Sequence, residues 1–183
     1  MAAASWLKYV YLAHFSQPRT ERQLYRLAKV HKICRIVEVG IYNVERTMAL
    51  IAVAQRFADQ GQVSYTGLDW FDARPSDLPS LTLKAAHRAL QSTGTVARLV
   101  PGDPARNIAA VANAHQHTGL ILLSSIVPDC LLAPAWFYLP RMVDADTVVL
   151  RERIDAARRP TFEMLPKSLL VKQAVSLGER KAA

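Results

Sequence analysis

Between Arg35 and Ile154 the chain alternates short aliphatic runs with longer segments of helical periodicity. RIVEV, VSYTGLD, VARLVPGD, GLILLSS and TVVLRER are the apolar runs, each bounded by Gly, Pro, Asp or Ser. The segments between them are long enough to cross back over a sheet. Strands alternating with helices imply right-handed crossovers and a parallel sheet. The expected fold is therefore α/β, a three-layer, doubly wound, mostly parallel sheet. In such sheets ligands bind outside the carboxyl ends of the strands, where the strand order reverses. The residues that finish each strand are the first to read for function.

The first run is continuous, as a strand covered on both faces should be. It leads through Gly40 into a helix expected over 44–60, with Met48, Ile51, Ala52 and Gln55 on helical spacing and Gly61 as its stop. The second strand is expected over 63–69, then a loop FDARPSDLPS and a helix LTLKAAHRALQSTG closed by Gly94. Pro104 opens the helix after the third strand, at a position where its missing N–H does no harm. A broken helix, CLLAPAWFYLPRMV, precedes the fifth strand, in which Trp136, Phe137 and Tyr138 read as core. A short sixth strand in TFEML and a helix from about Ser168 close the pattern. Upstream, TERQLYRLAKVHK puts Leu24, Leu27, Ala28 and His31 on one helical face, with Thr20 as its N-cap and Gln23 as capping-box partner.

At 183 residues the chain suits one core. We divide it into a helical cap over 1–32, a core over 33–152 and a basic C-terminal segment over 153–183. No apolar run reaches the ~18–20 residues that span a bilayer, and Lys8 interrupts the N-terminal apolar stretch, so neither a membrane partner nor a secretory signal is expected. Cys34 and Cys130 sit among apolar neighbours and read as buried, reduced thiols of a cytoplasmic protein. The net charge of +8 is concentrated at the ends, +5 over residues 1–40 and +4 over 151–183, leaving −1 between. Such ends could attract nucleic acid. With no aromatic interleaving, a solvated surface is the reading we adopt.

The strand ends carry acids. Glu38 lies two residues before Gly40, Asp69 is followed by Trp70 and Phe71, and Asp103 follows Gly102. A carboxylate after the second strand can accept from both hydroxyls of a ribose, and an adjacent aromatic can cover a purine. Asp103 can equally cap the helix that follows it. VEVGIYNVERTMALI, YTGLDWF, ARLVPGD and the stretch from Leu131 to Glu152 together resemble the class I S-adenosylmethionine-dependent methyltransferases, a Rossmann-like family, over roughly two thirds of the chain. By that resemblance Glu38, Gly40 and Tyr42 border the methionine moiety of S-adenosylmethionine. Asp69 takes the ribose, Trp70 or Phe71 lines the adenine pocket and Asp103 approaches the adenine amine. Ser124 stands at the end of the fourth strand, where many relatives carry an Asp. The implied activity is methyl transfer to an acceptor the sequence does not name.

The departures are specific. The family's alternating glycines are here Tyr42 and Val44, whose side chains push the backbone from the ligand or fill its space. Asn43 tolerates left-handed geometry, so the turn can still form. The family's core ends in a two-strand hairpin, and only 31 residues follow Glu152. The filled glycine loop and Ser124 support an alternative: a non-catalytic relative acting through partners or weak cofactor binding. GIYNVE lacks the G-x-G-x-x-G spacing of a nicotinamide site. His115 and His117, at i and i+2 with no third ligand evident, make a poor metal pair, and no metal is expected.

Overall fold

The computed structural model describes residues 4–59, 62–156 and 159–182, with side chains to residue 176. Six strands form one sheet: β1 (Arg35–Val39), β2 (Ser64–Asp69), β3 (Val96–Pro101), β4 (Leu120–Leu123), β5 (Val148–Ile154) and β6 (Pro160–Met164). Their order is β3-β2-β1-β4-β5-β6, all parallel except β6, which runs antiparallel to β5. The chain starts in the middle at β1, winds outward to β3, then returns to β4 on the other side. The order therefore reverses between β1 and β4, and their carboxyl ends form the switch point. Among the described residues one strand, not two, follows β5. It draws the segment beyond residue 152 into the sheet, and β5 itself runs to Ile154.

The helices are α1 (Trp6–Val10), α2 (Arg22–Val30), α3 (Val44–Phe57), α4 (Leu83–Gln91), α5 (Pro104–Val111), α6 (Ala133–Tyr138) and α7 (Lys167–Ala182). Residues alternate between the two faces of the sheet, as the pleat requires. Ile36, Tyr65, Leu120, Leu122, Val148 and Leu150 pack with α2 and α3 on one side. Val37, Val39, Leu68, Ile121, Leu123 and Val149 pack with α5, α6 and the start of α7 on the other. By the same parity Glu38, Asp69, Ser124 and Glu152 belong to the α3 face.

Several local expectations are corrected. Thr20 is not an N-cap, because Arg19–Glu21 tightens into a 3₁₀ turn that contains it, and its hydroxyl is buried without a partner. His31 is exposed, lying just past the end of α2. Cys34 and Cys130 are exposed free thiols, not core: Cys34 precedes β1, and Cys130 is the middle of a 3₁₀ turn, Asp129–Leu131, that buries no residue. Phe137 is 44% exposed. Gln55, half-buried on α3, donates to the Thr93 carbonyl and the Thr95 hydroxyl at 3.1 and 2.8 Å.

Candidate functional site

Gly40 ends β1 at φ +81°, in the left-handed region that a side chain resists. Its N–H donates to the Leu68 carbonyl at 2.7 Å, and the Ser124 N–H donates to the Val39 carbonyl at 3.0 Å, so the turn is tied to both neighbouring strands. Asn43 then caps α3, its side chain accepting from the Arg46 N–H at 3.1 Å. A Cβ on Gly40 would lie 2.7 Å from Val127 Cγ2 and 2.8 Å from Ile126 Cγ1. The space over the glycine is thus filled by the loop after β4.

Beneath the turn lies a buried polar cluster. Glu38 accepts from the Thr47 hydroxyl at 2.7 Å, the Tyr65 hydroxyl at 2.9 Å and Arg46 Nη2 at 3.3 Å. Arg46 also pairs with Glu152 through Nη1. Glu152 accepts in addition from the Ser124 hydroxyl at 3.0 Å and the Ser125 N–H at 3.1 Å. Tyr42 covers the Arg46 guanidinium at 5.2 Å from the ring centroid, and Phe162 of β6 lies 5.8 Å from it. Arg46 Nε and the Ser125 hydroxyl are buried without partners. Burial pushes the Glu38 carboxyl above its ordinary range, against Arg46 and the Thr47 and Tyr65 hydroxyls, which pull it down. Burial likewise raises Glu21, which accepts from Tyr25 at 3.4 Å. Arg46 is held charged: burial disfavours the cation, but Glu152 and Glu38 outweigh it and raise its pKa.

Asp69 finishes β2 with no exposed surface. Its Oδ2 accepts from the Ile41 N–H at 2.8 Å and Arg74 Nη2 at 2.7 Å. Oδ1 accepts from the Phe71 N–H and Arg74 Nε, both at 2.8 Å. Four donors on two oxygens use the acceptor capacity of a carboxylate. Arg74 reaches further, donating to the Ile41 carbonyl at 2.5 Å and the Pro79 carbonyl at 2.8 Å. Trp70 is half-buried against the α5 side, and Phe71 is fully buried with Ile41 and Ala86. Asp103 caps α5, accepting from the Ala105 and Arg106 N–H groups at 3.0 and 3.3 Å.

The structure therefore gathers Glu38, Tyr42 and, through Glu152, Ser124 about Arg46, with Gly40 in the turn between β1 and α3, while Asp69 is clasped by Arg74. Asp103 is engaged at the head of its own helix. Arg46, Glu152, Tyr65 and Arg74 were not singled out from sequence. An acid two residues beyond Leu150 in the fifth strand run, between Arg151 and Arg153, was the signal for Glu152; Arg74 carried none. No group of three or more acids, histidines and cysteines suited to a metal occurs among the described residues. No described helix is long and apolar enough to cross a membrane.

No family model matches the chain, and no curated protein matches it. Solved structures do. The O-methyltransferase TomG from Streptomyces achromogenes, involved in tomaymycin synthesis and determined with S-adenosylmethionine, aligns over all of this chain and 80% of its own, at 13% identity and a TM-score of 0.56. A putative caffeoyl-CoA O-methyltransferase from Staphylococcus aureus aligns over 90% and 73%, at 11% identity and a TM-score of 0.55. The fold is that of the class I methyltransferases. A methyltransferase from Geobacter sulfurreducens aligns over 79% of this chain at 18% identity and a TM-score of 0.50, and the chain spans 66% of it. At these identities the likeness establishes the fold alone.

Proposed function

We propose that the chain is an S-adenosylmethionine-dependent methyltransferase whose acceptor is unidentified. One observation carries the reading: Gly40 turns in the left-handed region at the switch point of a methyltransferase-type sheet, with Asp69 and Asp103 finishing the two strands beyond it. S-adenosylmethionine would supply an electrophilic methyl group, a transfer that needs alignment more than acid–base help. The residues fit the group on two conditions, that Arg74 releases Asp69 and that Ile126 and Val127 withdraw from Gly40. Glu38, Gly40 and Tyr42 would then border the methionine end, beside Ser124. Asp69 would take the ribose, Trp70 the adenine face and Asp103 the adenine amine. The reading calls for no membrane and no nucleic acid, and it leaves the basic ends as solvated surface. The exposed free thiols suit a reducing compartment, and we infer a cytoplasmic setting.

A second reading is a non-catalytic relative that keeps the fold and acts through partners. It is favoured by the side chains packed over Gly40 and by Ser124, whose hydroxyl is committed to Glu152. Calorimetry of the purified chain with S-adenosylmethionine and S-adenosylhomocysteine, with NAD as control, separates the two. Saturable heats with the first two and none with NAD are expected. Flat titrations with all three would leave the partner-acting reading.

A further inference from the structure

We propose that Arg74 is an internal competitor for the ribose end of this site, so that nucleoside binding is coupled to its release from Asp69. The inference rests on the methyltransferase reading of the strand ends and goes beyond it, because it assigns a role to a residue that reading does not use. Arg74 meets Asp69 through two parallel N–H···O contacts, at 2.8 and 2.7 Å, the strongest geometry a guanidinium offers a carboxylate. It fills the two acceptor positions of Asp69 that the Ile41 and Phe71 backbone amides leave, one on each oxygen. A ribose diol needs two acceptor positions on one carboxylate, so diol and guanidinium exclude each other.

The surroundings leave Arg74 room for release. Arg74 is the first residue of the proline-containing stretch 74–82, which has no regular secondary structure. Through the Ile41 and Pro79 carbonyls it staples that stretch to the turn after β1. A cleft of about 490 Å³ lies alongside, lined by Tyr42, Asn43, Glu45, Arg74, Ser80 and neighbouring residues, and gives the guanidinium room to withdraw. Phe71, between Asp69 and Arg74, holds φ +50°, a left-handed conformation costly for an aromatic residue. The segment carrying Arg74 is thus anchored by the clasp and has backbone strain at its root. A ligand that replaces the clasp must break these contacts, and by linkage anything that weakens them must favour the ligand.

The experiment uses the full chain and three single variants: Arg74→Gln, Arg74→Lys, and Lys172→Gln as a control that removes an exposed charge on α7. S-adenosylhomocysteine binding is read by calorimetry and by the ligand-induced rise in Tm, after circular dichroism establishes that each protein is folded. Adenosine and 2′,3′-dideoxyadenosine are compared in parallel. Arg74→Gln should bind S-adenosylhomocysteine about tenfold or more tighter than the parent. Arg74→Lys, which keeps charge but loses the fork, should fall between. The gain should appear with adenosine and vanish with the dideoxy analogue. Equal or weaker binding by both Arg74 variants, with the parent binding, overturns the competitor role and leaves the methyltransferase reading standing. The same gain in Lys172→Gln, or with the dideoxy analogue, also overturns it. Folded parent and Arg74 variants that all fail to bind remove the methyltransferase reading, and this inference with it.

Discussion

Arg46 illustrates how one residue can hold a fold's polar centre. It carries the positive charge between Glu38 and Glu152, on strands β1 and β5, and all three side chains are essentially excluded from water. Removing one partner of a buried pair leaves uncompensated charge, which costs far more than the pair contributes net. Arg46→Met should therefore lower stability by about 3–5 kcal/mol. The triple variant Glu38→Gln, Arg46→Met, Glu152→Gln should recover most of that loss, because it removes every charge together. Urea unfolding of both variants and the parent checks this. A loss below about 1 kcal/mol in Arg46→Met, the range of an ordinary hydrogen bond, would mean that the carboxyls do not depend on the guanidinium. The residue scale is also where sequence reading was weakest. Glu38 and Asp69 were visible as acids near strand ends. Their partners were not: Glu152 is 106 positions from Arg46 and meets it only through the β1-β4-β5 order. Arg74 is five residues from Asp69, yet nothing in FDARPSD fixes a chain path that folds back.

The elements were more legible, because burial on both faces demands continuous β-branched runs and a crossover demands helical length. RIVEV, LILL and VVLRERI became β1, β4 and β5 with little shift, and TFEM became the antiparallel β6. Helix caps were less so, since Arg19–Glu21 tightened around Thr20 instead of starting at it. The turn from β1 to α3 offers a test of what Gly40 is for. Gly40→Ala must hold a side chain at φ +81° and also displace Ile126 and Val127. The expected cost is about 2–4 kcal/mol, combining backbone strain with overpacking. Gly94→Ala is the comparison: φ is +70°, but a Cβ there meets nothing within 4 Å, so strain of about 1 kcal/mol should stand alone. Denaturant unfolding of the two variants isolates the packing contribution by difference. Equal costs would mean that the loop after β4 yields readily, which is what a ligand approaching Gly40 would require.

At the scale of the whole molecule, the buried acids make stability depend on pH with a definite sign. Burial raises the pKa of Glu38 and Glu21 above that of an unfolded carboxyl, ordinarily about 4.3. Between the unfolded and folded values the native state therefore binds more protons than the unfolded chain. Stability from these groups is fully present below the unfolded pKa and is lost as pH rises through the folded one. Tyr25 and Tyr65, also raised by burial, act in the same direction on the alkaline side, above about pH 10. His115 works the other way: burial, with Arg98 and Arg35 nearby, lowers its pKa, so its contribution is lost as pH falls through the lowered folded value. A bare pH profile mixes these signs. The difference between the parent and Glu38→Gln removes most of this mixing below about pH 10, because His115 and the other groups that do not touch Glu38 are common to both, while Tyr65, which does, titrates only above that range. The parent's unfolding free energy minus that of Glu38→Gln should fall as pH climbs from about 4, by up to about 1.4 kcal/mol per pH unit, the limit for one proton. It should level off above the raised pKa of Glu38. Urea unfolding of both proteins across the pH series measures it directly. A difference that rises with pH would mean that Arg46, Thr47 and Tyr65 stabilise the Glu38 carboxylate by more than burial penalises it. The polar centre beneath the Gly40 turn would then contribute more stability as the pH rises, not less.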